Sequence, residues 1–144
     1  VLLTGLQGQS VSGVTVGVDG SPESLEALDW AAHEATDRAA ELLVLSAWDA
    51  TGFDHSHKAF TTAEHQIEGT LAVPVEAIRR RLPALRVTTQ IVNDAPVAAL
   101  TKASADSDVV VVGSRGRGGF TGLLLGSTSQ RVLHSAQCPL IIVP

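Results

Sequence analysis

The sequence predicts an α/β fold: a doubly wound, three-layer arrangement around a five-stranded parallel sheet of order 3-2-1-4-5. Three observations carry that expectation. Short apolar runs typical of strands buried on both faces recur along the chain, the clearest being the four consecutive valines of Val109–Val112. Between them lie stretches whose apolar residues return every three or four positions, the period of a helix with one buried face. The composition is 44% hydrophobic but only 3% aromatic, which suits an aliphatic core built from Val, Leu and Ala. Strands alternating with helices build parallel sheets through right-handed crossovers, and 144 residues are enough for one such domain.

Val1 to Gly13 is rich in Gly, Ser and Gln and is expected to be a flexible lead-in or a linker, which leaves 14–144 as the domain. Val14–Val18 is the first strand. Asp19-Gly20-Ser21-Pro22 then turns into a helix, with Ser21 as N-cap and Pro22 at the first helical position. Leu25, Leu28, Ala32, Ala35 and Ala39 form its apolar stripe. Leu42–Ala47 is the second strand and Trp48–Phe60 a loop. The second helix runs to about Leu82 with Ile67, Leu71, Val75, Ile78 and Leu82 on one face, and Pro74 inside it predicts a kink or a break. Arg86–Val92 is the third strand, made polar by Thr88, Thr89 and Gln90 as an edge strand would be. Asn93-Asp94-Ala95-Pro96 opens a short third helix that uses Val97 and Leu100. After Val109–Val112, the cluster Gly126-Ser127-Thr128-Ser129 offers N-caps for a last helix whose apolar residues include Val132 and Leu133. Pro139–Val143 closes the chain as the fifth strand.

The stretch between the fourth strand and the last helix carries the chemistry. It holds Gly113, Gly116, Gly118, Gly119 and Gly122, and so rich a glycine loop can take positive φ angles and bring its backbone close to a ligand. Strand, glycine loop and helix N-terminus in that order make an anion site, because free N–H groups and the positive end of the helix dipole converge. Charge agrees. All 15 acids and 7 of the 10 basic residues precede Val109, so the first part carries −8 and the remainder +3 through Arg115, Arg117 and Arg131. A local cationic field on a protein of net charge −5 favours a small anion and argues against nucleic acid. The loop is no Walker A motif, since Lys102 is the last lysine. It also lacks the acid that follows a dinucleotide-binding loop by about 20 residues, as nothing acidic comes after it. With the order 3-2-1-4-5, the crevice where winding reverses lies between the first and fourth strands, so Asp19 would face Gly113 and supply that carboxylate at the ribose.

Other chemistries find less support. Asp54, His55, His57 and His65 lack the regular ligand spacing of a metal site and read as a solvated segment. No Gly-x-Ser-x-Gly elbow anchors a serine hydrolase. Arg79-Arg80-Arg81 reads as a solvated helix face near a C-terminus. The single Cys138 fits a reducing compartment as an inert buried thiol. No apolar run reaches membrane-spanning length, so a cytoplasmic location without membrane contact is expected.

Three stretches resemble the universal stress protein family: Val16-Gly17-Val18-Asp19-Gly20-Ser21, the Gly-x-x-Gly-x9-Gly-Ser spacing of Gly113, Gly116, Gly126 and Ser127, and Cys138-Pro139-Leu140-Ile141-Ile142-Val143-Pro144. The resemblance covers about Val14 to Pro144, and the three motifs fall in the family's order. The resemblance implies a Rossmann-like fold that binds ATP, since the intact glycine pattern marks the binding subgroup. It places Asp19 near the ribose or the metal-bound phosphates, Gly17 and Val18 on the adenine side, and the backbone of Ala47 as reader of the base. Val112, Gly113, Ser114, Arg115 and Gly116 would wrap the ribose and α-phosphate. Gly126, Ser127, Thr128 and Ser129 would take the β- and γ-phosphates through N–H groups and hydroxyls, with Arg117 adding charge or facing solvent. Mg²⁺ or Mn²⁺ would be held mostly through the phosphates. The family also implies a homodimer, or tandem-domain pairing, through Leu140–Val143. The function implied is a nucleotide-dependent regulatory or stress-response module with at most slow hydrolysis. A genuine ATPase or phosphotransferase is the alternative, and it would need a base beyond an Asp19 committed to ribose. A purely dimerising interaction domain is a third.

Overall fold

The computed structural model describes residues 13–49, 57–116 and 125–144. Its strands are β1 (Gly13–Gly17), β2 (Glu41–Trp48), β3 (Val87–Asn93), β4 (Val109–Gly113) and β5 (Leu140–Val143). They pair in parallel in the order β3-β2-β1-β4-β5, as the sequence predicts. Val16 of β1 lies opposite Val44 of β2 on one side and Val111 of β4 on the other, so β1 is the central strand. The helices are α1 (Pro22–Asp37), α2 (His57–Arg81), α3 (Pro96–Ser104) and α4 (Ser127–Ser135).

The valine run is solid because it feeds two cores. Val109 and Val111 join Val14, Val16, Leu42 and Val44 under α1 and α2, whereas Val110 and Val112 join Leu45 under α3 and α4. A strand alternates its side chains between faces, so a sheet covered on both sides requires an apolar residue at every position. Helix α1 sits close on the sheet because Ala27, Ala31, Ala32 and Ala35, all fully buried, are short enough to let it approach.

Several boundaries depart from expectation. Gly13, assigned to the lead-in, is already in β1, paired with Glu41 and donating its N–H to Asp108 at 2.6 Å; the rest of the lead-in lies outside the described residues. Val18 has left the strand but stays buried, its N–H held by the Leu45 carbonyl at 2.9 Å. Ala39 is not part of the α1 stripe. It sits past the helix end at φ 53°, and the Ala40 N–H closes back on the Ala35 carbonyl at 2.8 Å while the Ala39 N–H reaches Thr36 at 3.1 Å. That is the Schellman pattern, here with alanine where glycine is usual. Helix α2 begins at His57, within the stretch expected to be loop, and it runs through Pro74 without a break. Proline in a helix interior costs roughly 3 kcal/mol, but Leu71, Val75 and Ile78 are buried around it and contribute about 1.5–3 kcal/mol each. Packing wins. Leu133, expected among the apolar residues of α4, is 51% exposed; Val132 alone of that pair faces the core.

Candidate functional site

At the carboxyl ends of β1, β2 and β4, where the sheet reverses its winding, lies a cavity of about 350 Å³, within the range of small-molecule sites. Its inner part is apolar, formed by Gly17, Val18, Leu45, Leu100 and Val112, with the small side chain of Ala47 leaving space at the top of β2. Backbone parity gives Ala47 a second property. Leu45 directs its carbonyl to Val18 on the β1 side, and Trp48 directs its carbonyl to Asp94 on the β3 side. Ala47 shares the parity of Leu45, so its N–H and C=O turn toward the space beyond β1, which has already ended at Gly17. An edge of a flat ring can be read there by main chain alone.

The outer part is polar and comes from two turns that meet across the crevice. After β1, Gly20 takes φ 85° to start the turn, and Asp19 Oδ1 accepts both the Ser21 N–H (2.9 Å) and the Ser21 hydroxyl (2.5 Å). Ser24 buttresses this turn, donating its hydroxyl to the Ser21 carbonyl at 2.9 Å and accepting the Asp19 N–H at 3.3 Å. After β4, a Cβ on Gly116 would lie 2.6 Å from Asp19 Oδ2, so the carboxylate from β1 rests against the loop from β4. Gly113 is equally constrained: a Cβ there would come within 2.8 Å of the Glu23 carbonyl carbon and oxygen. Close approach, not positive φ, is what demands glycine at both places; Gly20 is the only positive-φ glycine among the described residues.

The loop is tied at its base. The Gly126 N–H donates to the Ser114 carbonyl at 2.6 Å, the Ser114 N–H to the Val143 carbonyl at 2.7 Å, and the Ser129 hydroxyl to the Gly113 carbonyl at 2.7 Å. These bonds aim the first turn of α4 into the cavity. Gly126 caps the helix with no side-chain hydrogen bond, and no acid stands in the first turn. The leading N–H groups of α4 have no intrahelical acceptor, which is the usual condition for an anion site.

Of the thirteen residues chosen from the sequence, twelve line this cavity. Ser114 does not; it is buried and acts through its backbone. The Ser129 hydroxyl proton is committed to Gly113, so that residue offers the cavity its N–H rather than its hydroxyl proton. Arg115 lines the cavity, whereas Arg117 lies outside the described residues. Reading the sequence missed Ser24, Leu45, Pro96, Leu100 and Leu125, which also line it. Leu45 could have been found, since it shares the face of Ala47; the α3 residues depend on a crossover that no local pattern records.

Among the described residues no group of three or more His, Cys, Asp or Glu could hold a metal ion. Asp54 and His55 lie outside those residues, and His65 Nδ1 is hydrogen-bonded to the Thr61 carbonyl at 2.6 Å. Cys138 is only partly buried, and that burial pushes its thiol pKa up. Among the described residues no helix is long and apolar enough to cross a membrane.

Fold and site together define a class: open α/β sheets with a ligand crevice at the switch point, lined by glycines after the fourth strand and by a bare helix N-terminus. The universal stress protein family model matches residues 12–144, and the chain belongs to that family. A universal stress protein of Mycobacterium tuberculosis is 41% identical over 130 residues, covering 90% of this chain and 44% of the relative. The chain thus spans less than half the length of the curated relatives it matches. A solved universal stress protein in complex with cAMP has a TM-score of 0.69 and 27% identity, covering 92% of this chain and 96% of that one. The universal stress protein of Archaeoglobus fulgidus in complex with dAMP has a TM-score of 0.68 at 21% identity, over 92% of this chain and 98% of that one, a likeness of fold.

Proposed function

We propose that the switch-point cavity binds an adenine nucleotide, ATP as the working ligand, and that the loaded domain serves as a regulatory stress-response module. One observation carries this reading: an apolar slot and the bare N-terminus of α4 share one cavity, with Asp19 between them. Base, ribose and phosphates follow the same apolar, hydroxyl-bearing and anionic order. The related protein in complex with cAMP, at 27% identity, supports the same ligand class. Ala47 would meet the base with its backbone, Asp19 the ribose hydroxyls, and Ser127 and Thr128 the terminal phosphates. Asp19 is the one acid among the described lining residues, and those residues by themselves make no cage for a cation. Mg²⁺ or Mn²⁺ would be held mostly by the phosphates, and what it supplies is charge neutralisation there.

Binding rather than turnover is the expected activity. Phosphoryl transfer needs a group that places the nucleophile, and Asp19 already accepts two hydrogen bonds from Ser21. Partner pairing, to a second copy or to a tandem domain, would use β5, which forms one edge of the sheet and is only partly buried.

The test is a calorimetric titration with Mg·ATP alongside thermal melts. At 100 times its dissociation constant the nucleotide should add about 2.7 kcal/mol to stability. Asp19→Asn should weaken binding, and phosphate release at saturation should stay slow. Gly113→Ala is a poor control, because its methyl would strike the Glu23 backbone and unsettle α1. Absence of both heat and thermal shift at millimolar Mg·ATP overturns the reading.

A further inference from the structure

The run Arg79-Arg80-Arg81 at the end of α2 sends its charges in three directions. Arg81 is paired with Asp29 of α1, and Arg80 stays on its own helix with Glu76 at 3.6 Å. Arg79 turns to the outer edge of the sheet, where its Nη2 donates to the Val87 carbonyl at 3.0 Å. That edge is β3. Its bonds to β2 show which main-chain groups it presents outward. The Arg86 carbonyl accepts the Leu42 N–H at 2.9 Å, and the Asp94 N–H reaches the Trp48 carbonyl at 3.0 Å. Even-numbered residues of β3 therefore bond to β2, and Val87, Thr89 and Ile91 turn their N–H and C=O groups away from it. Edge strands are commonly guarded by proline, charge or a bulge. Val87–Asn93 contains no proline and no charged residue, and its register runs one to one from Leu42–Val87 to Trp48–Asn93 without a bulge. Such an edge is a template for another strand.

The flank of α2 beside this edge narrows which strand that is. Because β2 and β3 are parallel, the helix joining them runs antiparallel to β3. Arg79 is level with Val87 at the start of the strand. Eleven residues earlier, about 16 Å along the helix, Glu68 is level with the strand's far end. Both are exposed and line one groove with Ala72, Val87 and Thr89. Glu68 makes no ion pair among the described residues. Ala72, between the two charges, is exposed as well and short enough to let another helix come close. An acid at one end and a base at the other form a pattern that complements itself when turned end for end. A two-fold axis makes that turn and sets two copies of β3 antiparallel. A peptide charged with one sign would meet one of the two residues unfavourably.

We propose that the β3 edge and the adjoining flank of α2 form an interface with a second copy of this chain. The two β3 strands pair antiparallel about Thr89, so that Thr89 faces the partner's Thr89 and Val87 faces the partner's Ile91, each pair exchanging N–H···O=C bonds. Helix α2 covers β2 and β3, since Leu71, Val75 and Ile78 share a core with Leu42, Val44, Val87 and Ile91. Two strand spacings then separate the paired helices, about 10 Å, which is helix contact distance. Glu68 of each copy meets the partner's Arg79. The guanidinium carries five N–H donors, so Arg79 can keep the Val87 carbonyl while it takes the carboxylate. The contact lies on the edge opposite β5, so it neither competes with pairing there nor depends on nucleotide.

The experiment measures mass against concentration by sedimentation equilibrium of the whole chain without nucleotide, alongside amide hydrogen exchange. Self-association is expected, with exchange slowed at Thr89 and Ile91 as concentration rises. Glu68→Arg sets like charges together at both symmetric contacts, and so does Arg79→Glu. Each should weaken association about tenfold or more with little change in melting temperature. A mixture of these two variants restores opposite charges at both contacts and should associate as tightly as the original chain. Thr89→Pro, which removes an outward N–H and no bond to β2, should abolish the protection of Ile91. Association unchanged by the charge variants, no rescue in the mixture, or protection confined to Leu140–Val143 overturns the interface. So does protection of Ile91 that survives Thr89→Pro, or a chain that stays monomeric to millimolar concentration.

Discussion

At the start of α1, Ser21 caps the helix with its side chain, accepting the Ser24 N–H at 3.3 Å, and Asp19 in turn accepts the Ser21 N–H and hydroxyl. At the start of α4, Gly126 has no side chain to offer and the first turn is Ser127, Thr128 and Ser129. Both helices begin at the rim of one cavity. The first also answers its own dipole with Glu23 in its opening turn; the second has no acid there, and none follows Val109 anywhere in the chain. The contrast tells which terminus is self-satisfied and which is left for an external anion, a distinction that strand order and cavity shape do not make.

The sharpest way to break the contrast is to give α4 the acid it lacks. Ser127→Glu should weaken Mg·ATP binding roughly thirtyfold, from about 2 kcal/mol of repulsion at the phosphates, while raising folded stability by about 0.3–1 kcal/mol through the dipole. Titration calorimetry and melting of the same sample separate the two effects, and a parallel loss of affinity and stability would refute the assignment. The converse change, Ser21→Ala, strips α1 of its cap. It should lower stability by about 1 kcal/mol and weaken nucleotide binding by a smaller factor than Ser127→Glu, because Asp19 loses the Ser21 hydroxyl as a donor. At the far end of α1, Ala39→Gly should leave binding alone and raise stability by about 0.5 kcal/mol, the left-handed penalty of roughly 1–2 kcal/mol less the entropic cost of glycine. Smallest of all is an acid effect at the start of α3. The hydrogen bond from Lys102, then the Ala95 N–H, holds the Asp94 carboxyl below its usual pKa. Its contribution to stability is therefore complete above the ordinary carboxylate pKa and fades as pH falls through the lowered folded value; Asp94→Asn should flatten that limb of a melting-temperature profile.

The sheet was legible because a strand covered on both faces leaves an unmistakable mark, as in Val109–Val112, and because the parallel order follows from few alternatives. Helix ends were less so. A Schellman stop normally announces itself by glycine, and Ala39 hides it; Pro74 signals a break that three buried neighbours override. At the candidate site, Asp19, Gly113, Gly116 and Gly126 stand out in the sequence, yet the physical reason differs from the one their type suggests. The first two of these glycines make room for Glu23 and Asp19, contacts set by tertiary packing. Ser24 and Leu100 gave no sign, since a serine or leucine in a periodic run looks like any other until its neighbours across the fold are known.

The bonds from Gly126 to Ser114 and from Ser129 to Gly113 fasten the two feet of one connection to each other. Whatever chain joins those feet, the direction of α4 is set below it. Doubling the length of such a connection raises its closure entropy by only about 0.6 kcal/mol. Lengthening the chain between Gly116 and Leu125 should therefore cost little stability and leave the anion cradle where the sheet has put it.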